Sequence, residues 1–189
     1  MNDAKCDPNG RFWSGSTDMQ FAAGRGALHV LGADWRCETV LDDLTLPNGL
    51  GWSPDGSVFY LIDTIAAELN AFDVAPAELT PQNRRVLARF PAAVGQPDGM
   101  TVDSQGCLWI AMWGGGRLIR VSPSGEILIE LPVPVDQPSS CTFGGSDLDV
   151  LYVTSAREGI DVSDNDPAGS VLAIRGLGVR GLATPRFQG

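Results

Sequence analysis

Apolar and polar positions along the chain alternate in a short-strand rhythm that recurs. Four segments share one order, a polar turn followed by a run rich in β-branched and aromatic residues. They are DPNGRFWSGS (7–16), SPDGSVFYLIDT (53–64), DSQGCLWIAMW (103–113) and GSDLDVLYVTSA (145–156). In the first three the turn glycine is Gly10, Gly56 and Gly106, spaced 46 and 50 residues apart. The fourth copy is expected to use Asp147 or Asp149 instead. Asp and Gly supply the positive-φ conformations that tight hairpins require. The runs Val58–Ile62 and Leu108–Met112 are almost continuously apolar, as expected of strands covered on both faces.

Each unit carries further apolar runs. One precedes the turn (LGW at 50–52, MTV at 100–102, CTF at 141–143), and a third follows (LNAFDV at 69–74, LIRVS at 118–122, VLAIR at 171–175). A fourth appears as VLARF at 86–90 and ILIEL at 127–131. The stretch IAAELNAF (65–72) is rich in helix formers, but its place in the repeat predicts a strand. Four short strands per unit of about 40 to 50 residues is the pattern of an all-β fold, a β-propeller. At roughly 47 residues per blade, 189 residues make about four blades.

In a propeller the first strand of each blade lines the central channel, so residues entering that strand surround the channel mouth. Counting back eight from each turn glycine gives Asn2, Asn48 and Asp98. Matching Gln137-Pro138 to Gln96-Pro97 puts Ser139 at the same place in the fourth unit. Amide, carboxylate and hydroxyl oxygens are ligands for hard cations. Pro-Asn-Gly (47–49) and Pro-Asp-Gly (97–99) are also common turn tripeptides, which is the competing explanation. The second strand brings Asp63 and Trp113 back toward the same end, Asp63 either as support for the site or as a strand-end cap. The Gly114–Arg117 run has neither Walker nor dinucleotide spacing and predicts a tight turn.

Charge and composition narrow the classes. Thirteen Lys and Arg stand against 23 Asp and Glu, a net charge of −10 with no basic stripe, which argues against nucleic acid and anionic lipid as partners. An apolar share of 43% excludes intrinsic disorder. No run of about 18 apolar residues predicts a membrane span, and the first residues, MNDAKCDPNGRFW, hold no signal core. A soluble, cytoplasmic protein is the expectation. Cys6, Cys37, Cys107 and Cys141 are too far apart for a zinc ribbon and predict reduced, mostly buried thiols. The lone His29, in the alternating run ALHVL, predicts a structural role. Chemistry in this chain therefore falls to Asp, Glu and Asn, with or without a hard cation.

These residues carry a resemblance. NDAKCDPNGRFW, LPNGLGWSPDG, NRRVLARF, GQPDGMTVD, GCLWIAMWGGGRLIRV, SSCTFGG, LYVTSAREG and the closing GLGVRG, in that order, resemble the SMP-30/gluconolactonase/LRE (regucalcin-like) family. The resemblance implies a six-bladed propeller with one divalent cation (Ca²⁺, Zn²⁺ or Mn²⁺) in its channel and hydrolysis of sugar lactones to aldonic acids. It implies Asn48 and Asp98 as metal ligands, Asp98 as catalytic base as well, and a substrate- or water-binding role for Asn2. Such a site needs no histidine, because a cation polarises the carbonyl, stabilises the oxyanion and acidifies water while a carboxylate takes the proton.

The family's third protein ligand, a glutamate, and its substrate-binding arginine both fall before Met1. Residues 1–189 are accordingly expected to form a single propeller domain that is N-terminally incomplete. A substrate-contacting glutamate expected after GRFWSGS has only Gln20 and Asp18 near its place. The competing expectations are a non-catalytic Ca²⁺-binding or protein-interaction propeller, and an inactive truncated fragment.

Overall fold

A computed structural model describes all residues except 76–77, 162 and 164–165. Among the described residues, turn signals and apolar runs resolve into fifteen strands arranged as four antiparallel sheets. Two units each contain two of them: residues 1–89 with 183–189, and residues 90–182.

In the first unit one sheet has the order β1 (Ala4–Cys6), β2 (Phe12–Ser16), β3 (Gly26–Leu31), β4 (Cys37–Leu44). The other has β5 (Pro47–Trp52), β6 (Val58–Asp63), β7 (Glu68–Asp73), β8 (Gln82–Arg89). Every neighbour in sequence is a neighbour in space, the meander that a propeller blade is made from. Residues 68–73, with their helix-forming composition, are a strand because β6 pairs with them from Val58↔Asp73 to Asp63↔Glu68. Trp13, Trp52, Phe59 and Phe72 lock the two sheets through ring contacts of 5.0 to 5.8 Å, within a core that also holds Leu28, Leu50 and Leu61.

In the second unit the order is β9 (Gln96–Val102), β10 (Leu108–Trp113), β11 (Arg117–Val121), β12 (Ile127–Pro132). Beside it lies a sheet of β13 (Pro138–Gly144), β14 (Val150–Ser155) and β15 (Val171–Ile174). Trp109 meets Phe143 edge-on at 6.2 Å, and Leu118, Leu151 and Val153 complete the core between the sheets. Ala92–Val94 form a single 3-10 turn. Among the described residues no helix is long and apolar enough to cross a membrane.

Burial follows the order of strands within a sheet. β6 and β10 are covered on both faces, whereas β8 and β12 are exposed along most of their length. The continuous apolar runs of the sequence are thus the second strands of their sheets, as predicted.

Gly10, Gly56 and Gly106 take φ of 76°, 72° and 79° in the hairpin turns, where an L side chain would be strained. In the fourth sheet neither Asp147 nor Asp149 has that role. Leu148 does, at φ 54°, with its N–H donating to Gly145 O just as Gly106 N–H donates to Asp103 O. An L residue at this φ is uncommon, and nothing in the residue type announced it.

The hairpin turns are stitched by an aspartate six residues before a tryptophan. Asp103, fully buried, accepts the N–H groups of Gln105 and Cys107, the Trp109 indole N–H at 3.1 Å and the Arg120 guanidinium at 2.7 Å. Asp7 repeats this with Asn9, Arg11 and Trp13. Where the apolar residue is Phe59 or Leu151 instead of Trp, Ser53 or Gly145 takes the aspartate's place, since no indole N–H then needs an acceptor. All four cysteines are free, with Cys107 and Cys141 buried and Cys37 exposed. His29 bridges strands, Nε2 to Ser16 Oγ at 2.8 Å and Nδ1 to Thr39 Oγ1 at 3.0 Å, the structural role its position predicts.

Candidate functional site

All four first strands carry the same irregularity at the same place. Between β5 and β6, Pro47 pairs with Asp63 and Leu50 with Leu61, so Asn48 and Gly49 together face Ile62. Between β9 and β10, Pro97 pairs with Met112 and Met100 with Ile110, so Asp98 and Gly99 face Ala111. Pro138 pairs with Ser155 and Ser140 with Thr154, which leaves Ser139 as the extra residue of β13. Ahead of β1, Asn2 N–H donates to Gly15 O at 2.7 Å and Gly15 N–H to Asp3 O at 3.0 Å, so two residues again share one partner. A bulge of this kind frees one residue from the ladder and re-aims its side chain, and bulges concentrate beside functional sites. Asn2, Asn48 and Asp98, predicted from spacing, and Ser139, predicted by matching Gln137-Pro138 to Gln96-Pro97, are the bulge residues of their four sheets. A turn tripeptide would not have produced that coincidence, because these segments lie within strands.

In the first unit the structure brings Asn2 and the Asn48 bulge together, since Asn2 Nδ2 donates to Pro47 O at 3.0 Å. Asn48 is 8% exposed. Its Nδ2 donates to Thr64 Oγ1 at 3.1 Å, while its Oδ1 accepts no hydrogen bond among the described residues. A hard cation requires such an oxygen, held in place and not already engaged. Asn48 therefore fits a cation ligand. Asp63, 3% exposed, accepts Thr45 N–H on Oδ2 at 2.9 Å and Leu46 N–H on Oδ1 at 3.0 Å. It caps the chain entering β5, and both of its oxygens are taken. Asp3 lies beside Asn2 with its carboxyl pushed above the usual range by burial, an effect that Lys5 and the Ala4 N–H partly offset.

In the second unit Asp98 is half-buried on its bulge. Gly99 beside it faces β13 so closely that a Cβ there would collide with Ser140, which requires glycine at this position. Ser139 Oγ lies 2.8 Å from Thr154 Oγ1. Two residues ahead of Ser139, Gln137 donates Nε2 to Glu158 O at 2.8 Å, and its buried Oε1 has no partner among the described residues. The Gly114–Gly116 run is the turn between β10 and β11, with Gly115 N–H donating to Met112 O. Trp113 pairs with Gln96, so the register partner of Asp63 in this sheet is Met112 and that of Thr64 is Trp113. Asp18 builds a turn by accepting the N–H groups of Gln20 and Ala22. Among the described residues no three His, Cys, Asp or Glu side chains gather into a ligand set, so the candidate donors are the bulge residues themselves.

Sequence spacing did not single out Thr64. The available signal was the dipeptide Asp63-Thr64 at the end of β6, where the register of the other sheets offers Ser16-Thr17, Met112-Trp113 and Ser155-Ala156.

A sequence profile of the SMP-30/Gluconolactonase/LRE-like region matches residues 1–157. The chain belongs to this family. Regucalcin of Sus scrofa is 38% identical over 198 aligned residues, which take in all of this chain and 66% of that protein. A luciferin-regenerating enzyme superposes with TM-score 0.89 and 34% identity, covering 98% of this chain and 64% of that one. A regucalcin from Agrobacterium tumefaciens, described as a calcium-binding protein, gives TM-score 0.89 and 28% identity over 98% of this chain and 63% of that one. These family structures are six-bladed propellers, so the all-β propeller class predicted from the repeat is the fold of this chain, with four blades' worth of sheet.

Proposed function

We propose that this chain serves a divalent-metal-dependent lactonase, opening sugar lactones to aldonic acids, as the gluconolactonase part of its family's description suggests. The observation that supports the reading is the bulge that recurs sheet by sheet at Asn2, Asn48, Asp98 and Ser139. We read residues 1–189 as belonging to one propeller domain.

In this proposal Asn48 Oδ1 and a carboxylate oxygen of Asp98 hold the cation, whether Ca²⁺, Zn²⁺ or Mn²⁺. When bound, the cation supplies polarisation of the lactone carbonyl and lowers the pKa of nearby water. The Asp98 carboxylate takes a proton from water as the water oxygen bonds to the carbonyl carbon. That proton passes to the ring oxygen when the acyl–oxygen bond breaks, giving a hydroxy acid. Asn2 has committed its Nδ2 to Pro47 O, which leaves Oδ1 to accept a hydroxyl hydrogen of the sugar. The alternative, Ca²⁺ binding without turnover, is favoured by the calcium-binding description of the Agrobacterium relative.

A pH-stat assay separates the two. Acid release from glucono-, galactono- or arabinono-lactone that rises on adding Ca²⁺, Zn²⁺ or Mn²⁺ is the expected result. Cation binding with no rate above the uncatalysed background on any lactone would leave the non-catalytic reading in its place.

A further inference from the structure

The Asn48 bulge is held from the strand beside it. Asp63 fixes Thr45 and Leu46 through both carboxylate oxygens, at 2.9 and 3.0 Å. Thr64 N–H donates to Leu46 O at 3.0 Å, and Thr64 Oγ1 accepts Asn48 Nδ2 at 3.1 Å. Two consecutive residues thus grip both the backbone that delivers the bulge and the side chain it presents. At the matching register the other sheets hold Ser16-Thr17, Met112-Trp113 and Ser155-Ala156. Only Thr17 repeats the hydroxyl, and it donates to Thr45 O rather than to a bulge side chain. At both bulges that carry asparagine the amide nitrogen has an acceptor, Pro47 O for Asn2 at 3.0 Å and Thr64 Oγ1 for Asn48.

A carboxamide needs such a device more than a carboxylate does. Its two ends differ, one a donor and one an acceptor, and rotation by half a turn would present N–H to a cation. An acceptor on Nδ2 fixes which end remains available. Second-shell groups of this sort set ligand orientation in metal sites.

We infer that Asp63 and Thr64 are positioning residues for Asn48, Thr64 selecting the orientation that leaves Oδ1 open and Asp63 holding the strand entrance that carries it. The inference rests on the reading of Asn48 as a cation ligand.

The test uses the 189-residue chain with Ca²⁺ and Tb³⁺ as probes, titrated by calorimetry and by terbium luminescence, alongside ¹⁵N spectra of the side-chain amides. Asn48→Ala identifies the Asn48 amide signals by their loss. In the cation-free wild type those signals are expected to be split and protected from solvent exchange. Thr64→Val, which keeps the shape and removes the hydroxyl, is expected to expose them and to weaken cation binding by about tenfold or more with the melting midpoint little changed. Thr64→Ser is expected to restore both. Wild-type affinity and unchanged amide signals in Thr64→Val, with binding lost in Asn48→Ala, would overturn the positioning role and leave the ligand reading standing. Unchanged binding in Asn48→Ala removes the ligand reading, and the positioning role with it.

Discussion

Asp103 and Asp63 are both buried aspartates at strand ends, and they teach different things. Asp103 sits at the hairpin turn and collects an indole N–H, a guanidinium and two backbone N–H groups. Asp7 does the same in another sheet, so the arrangement belongs to the blade as a building unit. Asp63 sits at the opposite end of a second strand and accepts only two backbone N–H groups, those of Thr45 and Leu46. Its register partner in the third sheet is Met112. Burial alone does not tell a structural carboxylate from one that serves a site. The partners differ: Asp103 and Asp7 each take an indole and a guanidinium, Asp63 the backbone that enters β5.

The largest effect expected from this contrast is in stability. Asp103→Ala would leave the buried Trp109 indole without its acceptor and the Arg120 guanidinium with Gln105 Oε1 in place of a carboxylate. Removing one partner of such a pair costs about 3–5 kcal/mol, measurable as a lower midpoint in denaturant unfolding. Asp7→Ala should cost less, about 2–3 kcal/mol, because Arg11 is closer to solvent than Arg120 and can recover hydration. A cost below 1 kcal/mol at both positions would break the claim that the anchor holds the blade. Asp63→Asn should cost about 1–2 kcal/mol, since one backbone N–H loses its acceptor, and should weaken Ca²⁺ binding by a larger factor than Asp7→Asn does. Equal effects on cation affinity from the two variants would erase the distinction.

A smaller effect concerns acid. Asp55, in the turn of the second sheet, is lowered to about 2 by the hydroxyl of Ser53 and by the N–H and hydroxyl of Ser57. Asp73 is lowered by Asn83 and Arg85. A carboxyl depressed in the folded state contributes stability above its unfolded value of 3.8, and that contribution is lost as pH falls toward about 2. Asp3, raised by burial, acts in the opposite sense, opposing folding once pH rises past 3.8. Unfolding measured across this range should therefore show a shallower acid decline in Asp55→Asn than in wild type, and both carboxyls of the first group are exposed enough that the change should be small.

Much of this was legible in the sequence because a repeat converts spacing into position. The hairpin glycines fix the register of the first two strands, and a fixed number of residues back from them lies the bulge, so Asn48 and Asp98 could be placed before any coordinates. Legibility failed where conformation departs from residue type or where strands must already be paired. Leu148 occupies a turn position that glycine holds elsewhere. β4, Cys37–Leu44, is largely exposed and polar, so it lacks the alternation that announces a strand. The Asp103–Trp109 contact joins residues six apart, visible as a spacing only once DPNGRFW and DSQGCLW are laid over each other. Thr64 stayed hidden because its meeting with Asn48 depends on the bulge shifting the register by one.

The central claim is that the bulge residues hold the chemistry while the hairpin anchors hold the fold. Calorimetric titration of Ca²⁺ into wild type, Asn48→Ala, Asp98→Ala and the turn variant Ser53→Ala tests it most directly. One cation per chain in wild type and Ser53→Ala, with binding lost or weakened at least tenfold in both bulge variants, is the predicted result. Equal affinity in all four proteins would contradict it.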